Sequence, residues 1–262
     1  MLEARLPAAS ILKKIVESIK DLVSQANFDC SESGISFQAM DESNIALSSF
    51  LLRADGFDPY RCDRKLSLGI RFATLSKILK CAGNDDVVVI RYADDTDILS
   101  LVFEAPDNNR ISEFDIKLLD ISSEYLSIPE QEPECKVKMS SAEFSRICRD
   151  LITIGSSVVI DATKSGVKFS STGDDGSGSI LIKQSASVDG DGKAAPQTTV
   201  EMSEPVSLEL SLKYLNNFTK AAPLSEYVVM NMTNDSPLML QFDVSDIGYI
   251  RYFLAPQIKD VD

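Results

Sequence analysis

Few side chains in this sequence have the types and spacing that enzyme chemistry requires. Two acidic runs, Asp94-Asp95-Thr96-Asp97 and Asp174-Asp175, contain carboxylates that could bind Mg²⁺ or form an acid/base pair. Both runs lie in turn contexts, which favours solvated acidic loops over a catalytic site. The chain has no histidine, no glycine-rich phosphate loop and no pattern of an activated nucleophile. The sequence therefore predicts a protein that is not an enzyme.

Metal and cofactor chemistry has equally little support. The cysteines are odd in number, widely spaced and set among apolar neighbours; they are Cys30, Cys62, Cys81, Cys135 and Cys148. This pattern favours reduced thiols in the core over a disulfide framework, and no C-x-x-C pair is present to bind zinc. The apolar runs are far shorter than the about 20 residues of a membrane-spanning helix. We expect no metal, no cofactor and no membrane partner.

Basic side chains are more informative, because they recur on the outward faces of four predicted helices. In each helical window, apolar residues repeat at helical spacing and define a buried stripe. The first stripe consists of Leu12, Ile15, Val16, Ile19 and Val23. The outward cations of the four windows are Lys13, Lys14, Lys20, Lys77, Lys80, Arg146, Arg149, Lys213 and Lys220. Glu17 is the clear acidic exception on these faces.

These basic faces stand out because the chain as a whole is acidic. It has 40 Asp and Glu against 26 Lys and Arg, a formal net charge of -14. One basic helix face is usually only solvated, but four equivalent faces make coincidence less likely, and they would form one basic face if the repeated domains bring their helices to a common surface. No base-reading cluster or aromatic platform accompanies the cations. Such a face suits nucleic-acid phosphates, and the contact would be with the backbone only, independent of base sequence.

The helices that carry these basic faces belong to an internal repeat of the sequence. Residues 10–37 align without a gap with residues 142–169, and the pattern that begins at Leu66 and ends at Lys80 matches the one from Val206 to Lys220. The second copy contains a longer loop, which we place at residues 187–198 and expect to be exposed and mobile. One supersecondary unit is therefore used twice.

Each half combines two helices with many short strands. Segments with β-branched or alternating patterns between turn residues lie at 34–40, 45–52, 65–70, 87–92, 98–104 and 110–118. Residues 118–134 combine acidic side chains with prolines, which predicts an extended connector. We therefore predict an α+β fold of two similar domains, 1–117 and 135–262, in which sheets back two helices each.

Several short motifs together resemble one family, the eukaryotic proliferating cell nuclear antigen. The motifs follow one another along essentially the full chain. They are Met1-Leu-Glu-Ala, Ile11-Leu-Lys-Lys-Ile, Gln38-Ala-Met-Asp-Glu-Ser43, Tyr60-Arg-Cys-Asp63, Leu75-Ser-Lys-Ile-Leu-Lys-Cys81, Glu143-Phe-Ser-Arg-Ile-Cys-Arg-Asp-Leu151, Gly166-Val-Lys-Phe169 and Tyr252-Phe-Leu-Ala-Pro256. The combination is specific, although no single motif would be.

This resemblance implies a homotrimeric ring, a sliding clamp that encircles duplex DNA and serves as a processivity factor. Its implied partners are DNA polymerases, a clamp loader and other replication and repair proteins, and its implied location is the nucleus. The resemblance places the helix cations against DNA and adds Arg110 and Lys138 to them. Asn217 stands where some relatives have a lysine, so no cationic contact is expected from it.

The resemblance also implies sites for the partner subunit, for peptides and for modification. Ring closure by antiparallel edge strands would involve Arg110, Phe114, Ile116, Ser177, Gly178 and Ile180. A pocket for short peptides with aliphatic and aromatic anchors would involve Met40, Ile45, Leu47, Leu126, Ile128, Pro129, Pro237, Phe253, Ala255 and Pro256. Lys164 matches the family's acceptor for ubiquitin and SUMO.

One alternative within the same fold remains open. A subunit of the heterotrimeric checkpoint clamp would share the two-domain plan but would need two different partner chains. The complete set of basic helices and the apolar pocket favour the homotrimeric clamp.

Overall fold

The computed structural model describes residues 1–94, 96–107, 109–122, 126–127, 132–184 and 198–257. The chain divides into two compact units, the first made of Met1–Ser127 with Val244–Ile250 and the second of Ile128–Asp243 with Arg251–Asp262. Both units combine antiparallel sheets with helices, which confirms the predicted α+β class.

The first unit has two helices among its described residues, α1 (Ala9–Ile19) and α2 (Phe72–Leu79). Its strands are β1 (Leu2–Leu6), β2 (Gln25–Ser31), β3 (Gly34–Met40), β4 (Ala46–Arg53), β5 (Tyr60–Cys62), β6 (Leu66–Arg71), β7 (Val87–Tyr92), β8 (Ile98–Glu104) and β9 (Ile111–Lys117). They pair in the orders β5-β1-β7-β8-β9 and β4-β3-β2-β6. A short 3₁₀ helix, Ala54–Gly56, follows β4.

The second unit repeats this plan with α3 (Ser141–Leu151) and α4 (Leu212–Phe218). Its strands are β10 (Cys135–Ser140), β11 (Ser157–Thr163), β12 (Gly166–Gly173), β13 (Gly176–Lys183), β14 (Thr199–Met202), β15 (Val206–Ser211), β16 (Tyr227–Met232) and β17 (Leu238–Val244), whose last residue is assigned to the first unit. Strand β18 (Gly248–Leu254) begins in the stretch assigned to the first unit and ends in the second. They pair in the orders β13-β12-β11-β15 and β14-β10-β16-β17-β18. A 3₁₀ helix, Thr219–Leu224, continues directly from α4.

The internal repeat is visible in equivalent backbone hydrogen bonds at the helix starts. The Phe72 N–H that opens α2 donates to the Ser24 carbonyl at 3.0 Å, and the Leu212 N–H that opens α4 donates to the Ser156 carbonyl at 3.0 Å. These two pairs occupy matching positions of the repeat. They supply acceptors for N–H groups that a helix cannot satisfy internally.

Two glycines also match across the repeat. Gly34 and Gly166 begin β3 and β12 with φ values of 138° and 148°, a region that side chains rarely adopt. A Cβ at Gly34 would lie 2.1 Å from the Leu52 carbonyl oxygen, and one at Gly166 would lie 2.2 Å from that of Ile182. Each hairpin therefore requires glycine at the same place.

The helices pack by the stripes that the sequence predicts. Leu12, Ile15 and Ile19 are at most 2% exposed, and Phe72 of α2 packs on Phe28 and Phe37 of the sheet. Helix α1 ends at Ile19, earlier than the periodicity suggests. Val23 is still buried, but it lies in the turn that follows the helix.

The prediction that the cysteines lie in the core is wrong for two of the five. All five cysteines belong to the described part of the chain and are free thiols. Cys30, Cys135 and Cys148 are buried, and burial raises the pKa of Cys135 to about 11 and that of Cys148 to about 12. Cys62 is half-buried and Cys81 is exposed, since Cys81 follows the C-terminus of α2. Apolar neighbours in sequence did not guarantee a core position.

Candidate functional site

Helices α1 and α2 pack side by side in the first unit and border a cleft of about 310 Å³. The cleft is lined by Lys13, Lys14, Val16, Glu17, Ser76, Leu79 and Lys80. Three of the predicted cations thus meet in one place, with one carboxylate among them. Lys14, Lys77 and Lys80 are exposed to solvent. The cleft concentrates positive charge on the outer face of the helix pair.

Two cations of α1 have partners within the unit. The Lys13 ammonium donates to the Ala82 carbonyl and, at 3.2 Å, to Oδ1 of Asn84, so it ties α1 to the turn after α2. Lys20 pairs with Glu17 at 2.8 Å, and this hydrogen bond raises the pKa of Lys20. Both lysines are half-buried. Lys13 thus links α1 to the segment after α2, whereas Lys20 forms an ion pair within α1.

Arg110 is anchored to a buried carboxylate. Its guanidinium lies 2.9 Å from Oδ2 of Asp86, whose side chain is 5% exposed and also accepts the Gly83 N–H at 2.7 Å. An unpaired carboxylate so deeply buried would be costly, so this pair has a structural role. No local sequence pattern indicates it.

The predicted helix cations of the second unit lie on α3, on α4 and on the 3₁₀ helix that follows α4. Arg146 and Arg149 are exposed on α3, with Arg146 lying 3.7 Å from Asp150 one turn later. Lys213 is exposed on α4. Lys220 is also exposed. It lies in the 3₁₀ helix rather than in α4, because α4 ends at Phe218, before the end of the predicted helical window. Its ammonium donates to Oδ1 of Asn217 at 3.0 Å.

Lys138 lies on β10 rather than on a helix. Its ammonium sits 4.4 Å from the centre of the Tyr227 ring on the neighbouring strand. This cation–π contact fixes the lysine over the sheet while its exposed charge faces solvent.

The two strands expected at the subunit boundary are both edge strands of their sheets. Strand β9 ends the sheet of the first unit, and β13 ends a sheet of the second. On β9, Phe114 packs on Phe103 at 5.6 Å, and Ile116 is 2% exposed, so the Ile116 side chain belongs to the core. Arg110 immediately precedes the strand. Only the backbone of Ile116 is available for pairing.

Strand β13 contains the other expected boundary residues. Ser177 is exposed, and Gly178 and Ile180 are half-buried. The most exposed apolar side chains near the two edges were not foreseen. They are Ile111 at 70%, Leu181 at 52%, Ile152 at 41% and Ile154 at 40%.

The pocket residues of the first unit cluster at one hairpin. Met40 and Leu47 are cross-strand partners of β3 and β4, with Leu47 6% exposed. Between them, the Asp41 carboxylate accepts the N–H groups of Ile45 and Ala46, each at 2.8 Å. The tightened loop leaves the Ile45 side chain 42% exposed. The structure thus presents an apolar group beside a rigid turn.

Leu126 is also presented on the surface of the first unit, with 42% exposure. Its backbone is gripped by Gln38, whose Oε1 accepts the Leu126 N–H at 2.8 Å and whose Nε2 donates to the Leu126 carbonyl at 3.0 Å. Sequence reasoning missed Gln38. Ile128 and Pro129 lie outside the described residues, as do Asp95, 123–125, 130–131 and all of the predicted loop 187–198 except Thr198.

The remaining predicted residues lie in the second unit. Phe253 is half-buried at the end of β18, and Ala255 and Pro256 follow it directly. Pro237 is exposed before β17. Lys164 is exposed at the tip of the β11–β12 hairpin.

The acidic runs have structural partners where the structure describes them. Asp94 lies 3.0 Å from the Met1 ammonium and 2.9 Å from Arg64, and these bonds lower the pKa of Asp94, the ammonium most strongly. Asp174 and Asp175 are exposed in the β12–β13 turn. Within the described residues, no cluster of acidic or thiol side chains could hold a metal ion, and no helix is long and apolar enough to span a membrane.

Comparison with protein-family models gives two consecutive matches. Residues 1–125 match the model of the proliferating cell nuclear antigen N-terminal domain. Residues 127–257 match the model of the proliferating cell nuclear antigen C-terminal domain. The two models meet close to Leu126 and together account for nearly the whole chain.

Proposed function

This chain belongs to the proliferating cell nuclear antigen family of DNA sliding clamps, which are non-enzymatic scaffolds, and we propose that it forms a homotrimeric clamp around duplex DNA. The observation that supports this most directly is the set of exposed cations on α1 to α4, in both units of an acidic chain. The helix faces bind phosphates, and the acidic remainder stays away from them.

The proposed DNA surface uses phosphate contacts only. It comprises Lys13, Lys14, Lys20, Lys77, Lys80, Arg110, Lys138, Arg146, Arg149, Lys213 and Lys220. Such contacts hold a protein on DNA without reading bases, so the clamp can move along the duplex. Retention then comes from encirclement rather than from tight binding.

Ring closure is proposed to pair the β9 edge of one subunit with the β13 edge of the next. Both edges have unpaired backbone groups, which pairing would satisfy. The exposed Ile111 and Leu181 would add apolar burial at that boundary. Because the two edges differ, the contact is heterologous and closes only when the rotation per subunit completes a ring.

Docking is proposed to occur through short peptides with aliphatic and aromatic anchors. The contacts would come from the exposed Leu126 and Ile45 with the other predicted pocket positions, and residues 118–134 would serve as the connector between domains 1–117 and 135–262. A tethered polymerase or repair factor gains a high effective concentration at DNA, so weak contacts suffice for processive synthesis. A clamp loader would open the ring.

Regulation and location follow from the same proposal. Exposed Lys164 would accept ubiquitin or SUMO, which adds a second docking surface without disturbing the hairpin that carries it. The protein would act in the nucleus, in DNA replication and repair.

The deciding measurement is the solution mass over a dilution series, by light scattering. A stable mass of three chains of 28.7 kDa supports the homotrimer. A persistent monomer would refute it and favour a subunit of the heterotrimeric checkpoint clamp.

Encirclement is tested separately with linear duplex DNA. Protein is allowed to thread onto the DNA, the ends are then blocked with streptavidin, and the complex is washed with salt that breaks phosphate contacts. Retention only on end-blocked DNA is the expected result. Equal loss from blocked and open DNA would show simple electrostatic binding.

A further inference from the structure

Three outward-facing residues form a row across the sheet of the first unit. Gly69 of β6 pairs with Asn27 of β2, and the neighbouring pair Phe28 and Phe37 places Gln38 of β3 next in the row. Phe28 and Phe37 point toward α2, so strand alternation turns Asn27 and Gln38 to the opposite face. The row therefore runs across three adjacent strands on the side away from the helices.

The chain segment after β9 is attached to this row at each strand in turn. The Leu119 N–H donates to the Gly69 carbonyl at 2.9 Å. Nδ2 of Asn27 donates to the Ile121 carbonyl at 2.9 Å, and Gln38 grips Leu126 through two bonds. Successive contacts thus lie on β6, then β2, then β3.

The backbone at Leu119 approaches Gly69 so closely that only glycine fits at this position of β6. A Cβ at Gly69 would lie 2.1 Å from the Leu119 carbonyl oxygen. Asn27 is only 7% exposed, although it points away from the core between sheet and helices. A buried side-chain amide without a hydrogen-bond partner would be unfavourable, and the Ile121 carbonyl supplies a partner for Asn27.

We propose that Asn27 and Gln38 are positioning residues that hold Ile121 and Leu126 at the outer face of the sheet and so fix where Leu126 is presented. The side-chain amide of Gln38 offers the donor and acceptor pair of a backbone amide, so it pairs with Leu126 as a β-strand would. This deepens the proposed function and rests on it, because Leu126 is a proposed anchor contact for partner peptides.

The first test is amide hydrogen exchange at Leu126, read by mass spectrometry with electron-transfer fragmentation. Gln38→Met keeps the side-chain length and removes both bonds, so exchange of the Leu126 amide should speed up by about tenfold. Gln38→Glu keeps the acceptor but sets a carboxylate oxygen against the Leu126 carbonyl, so exchange should also rise. Gln25→Ala, which truncates an exposed glutamine of β2, is the matched control and should change nothing. Unchanged exchange in Gln38→Met would overturn the proposal.

The second test is the affinity for a labelled synthetic peptide with one aliphatic and two aromatic anchors, by fluorescence anisotropy. Gln38→Met should weaken binding by about fivefold, and Asn27→Leu by a similar factor, while the oligomer mass and melting temperature stay at the wild-type values. Faster exchange with unchanged peptide affinity would overturn the positioning role. If the wild-type protein itself binds no such peptide, the proposed docking function fails, whereas the exchange result still judges the attachment of Leu126.

Discussion

The two units share a backbone plan and differ in the charges that they place on it. The gapless alignment of 10–37 with 142–169 puts Lys14 opposite Arg146, but it puts Glu17 opposite Arg149. In the second helix of each unit Lys80 matches Lys220, while Lys77 matches Asn217. Equivalent backbone hydrogen bonds and glycines are retained, whereas most cationic positions are not. Positive charge is therefore a property of the helix face rather than of individual positions.

The largest expected effect tests the shared backbone. Gly34→Ala and Gly166→Ala should each destabilise the protein by about 3 kcal/mol, because both force a side chain into a left-handed φ and against a carbonyl oxygen. Thermal melting measures the loss. Gly176→Ala is the control, since a Cβ there meets nothing within 4 Å. A large loss at only one of the two positions would break the equivalence of the units.

The second prediction tests the divergent charges. Replacing Lys14, Lys77 and Lys80 by alanine in one variant, and Arg146, Arg149 and Lys213 in another, should each weaken DNA binding by about tenfold. The salt dependence of log K should flatten by about 0.9 for each phosphate that the variant no longer neutralises. Replacing exposed Lys65 before β6 and Lys168 on β12 by alanine controls for general charge loss. If only one helix set matters, the two units do not share a DNA surface.

A smaller effect concerns the helix starts. In α3 the Ser140 hydroxyl accepts the Glu143 N–H at 3.4 Å, but the matching position before α1 is Ala8, which makes no side-chain cap. Ser140→Ala should cost about 1 kcal/mol in chemical unfolding. Ala8→Ser should recover part of that amount for α1. A stabilisation of α1 as large as the loss in α3 would show that the two starts differ only in this side chain.

The smallest effect concerns the Glu17 and Lys20 pair. Its bond raises the pKa of Lys20, so its stabilisation is complete below the ordinary lysine pKa and disappears as pH rises through the higher folded value. Glu17→Gln should cost less than about 0.5 kcal/mol near neutral pH, because one partner is well exposed. The same change removes the acidic exception from the face and should tighten DNA binding by about twofold. Weaker DNA binding would show that Glu17 orients Lys20 productively.

Much of the local structure could be predicted because it depends on short-range periodicity. Strands β3, β7 and β8 begin and end where alternation and turn residues predicted. The end of α1 was misplaced, since periodicity marks burial and Val23 remains buried in the turn after Ile19. The same reason applies to α4, which gives way to a 3₁₀ helix at Thr219.

The candidate site was only partly predictable, because several of its side chains are held by partners distant in sequence. The outward direction of Lys14 or Arg149 follows from a helical wheel. The pairing of Arg110 with Asp86 and the grip of Gln38 on Leu126 join residues 24 and 88 positions apart, and no local pattern encodes them. Polar residues on the outer face of a strand are usually only solvated, so Gln38 carried no distinguishing signal.

The difference between the β9 and β13 edges has a genetic consequence in the proposed ring. A subunit whose β13 edge is blocked, for instance by proline at Ser179, would still offer a normal β9 edge. It would join growing assemblies and leave them open. Because only its β9 edge can pair, each blocked subunit would occupy one end of an open assembly and withdraw intact subunits from closed rings. Such an allele would be dominant over the wild type, whereas loss of the whole protein from one gene copy would not be.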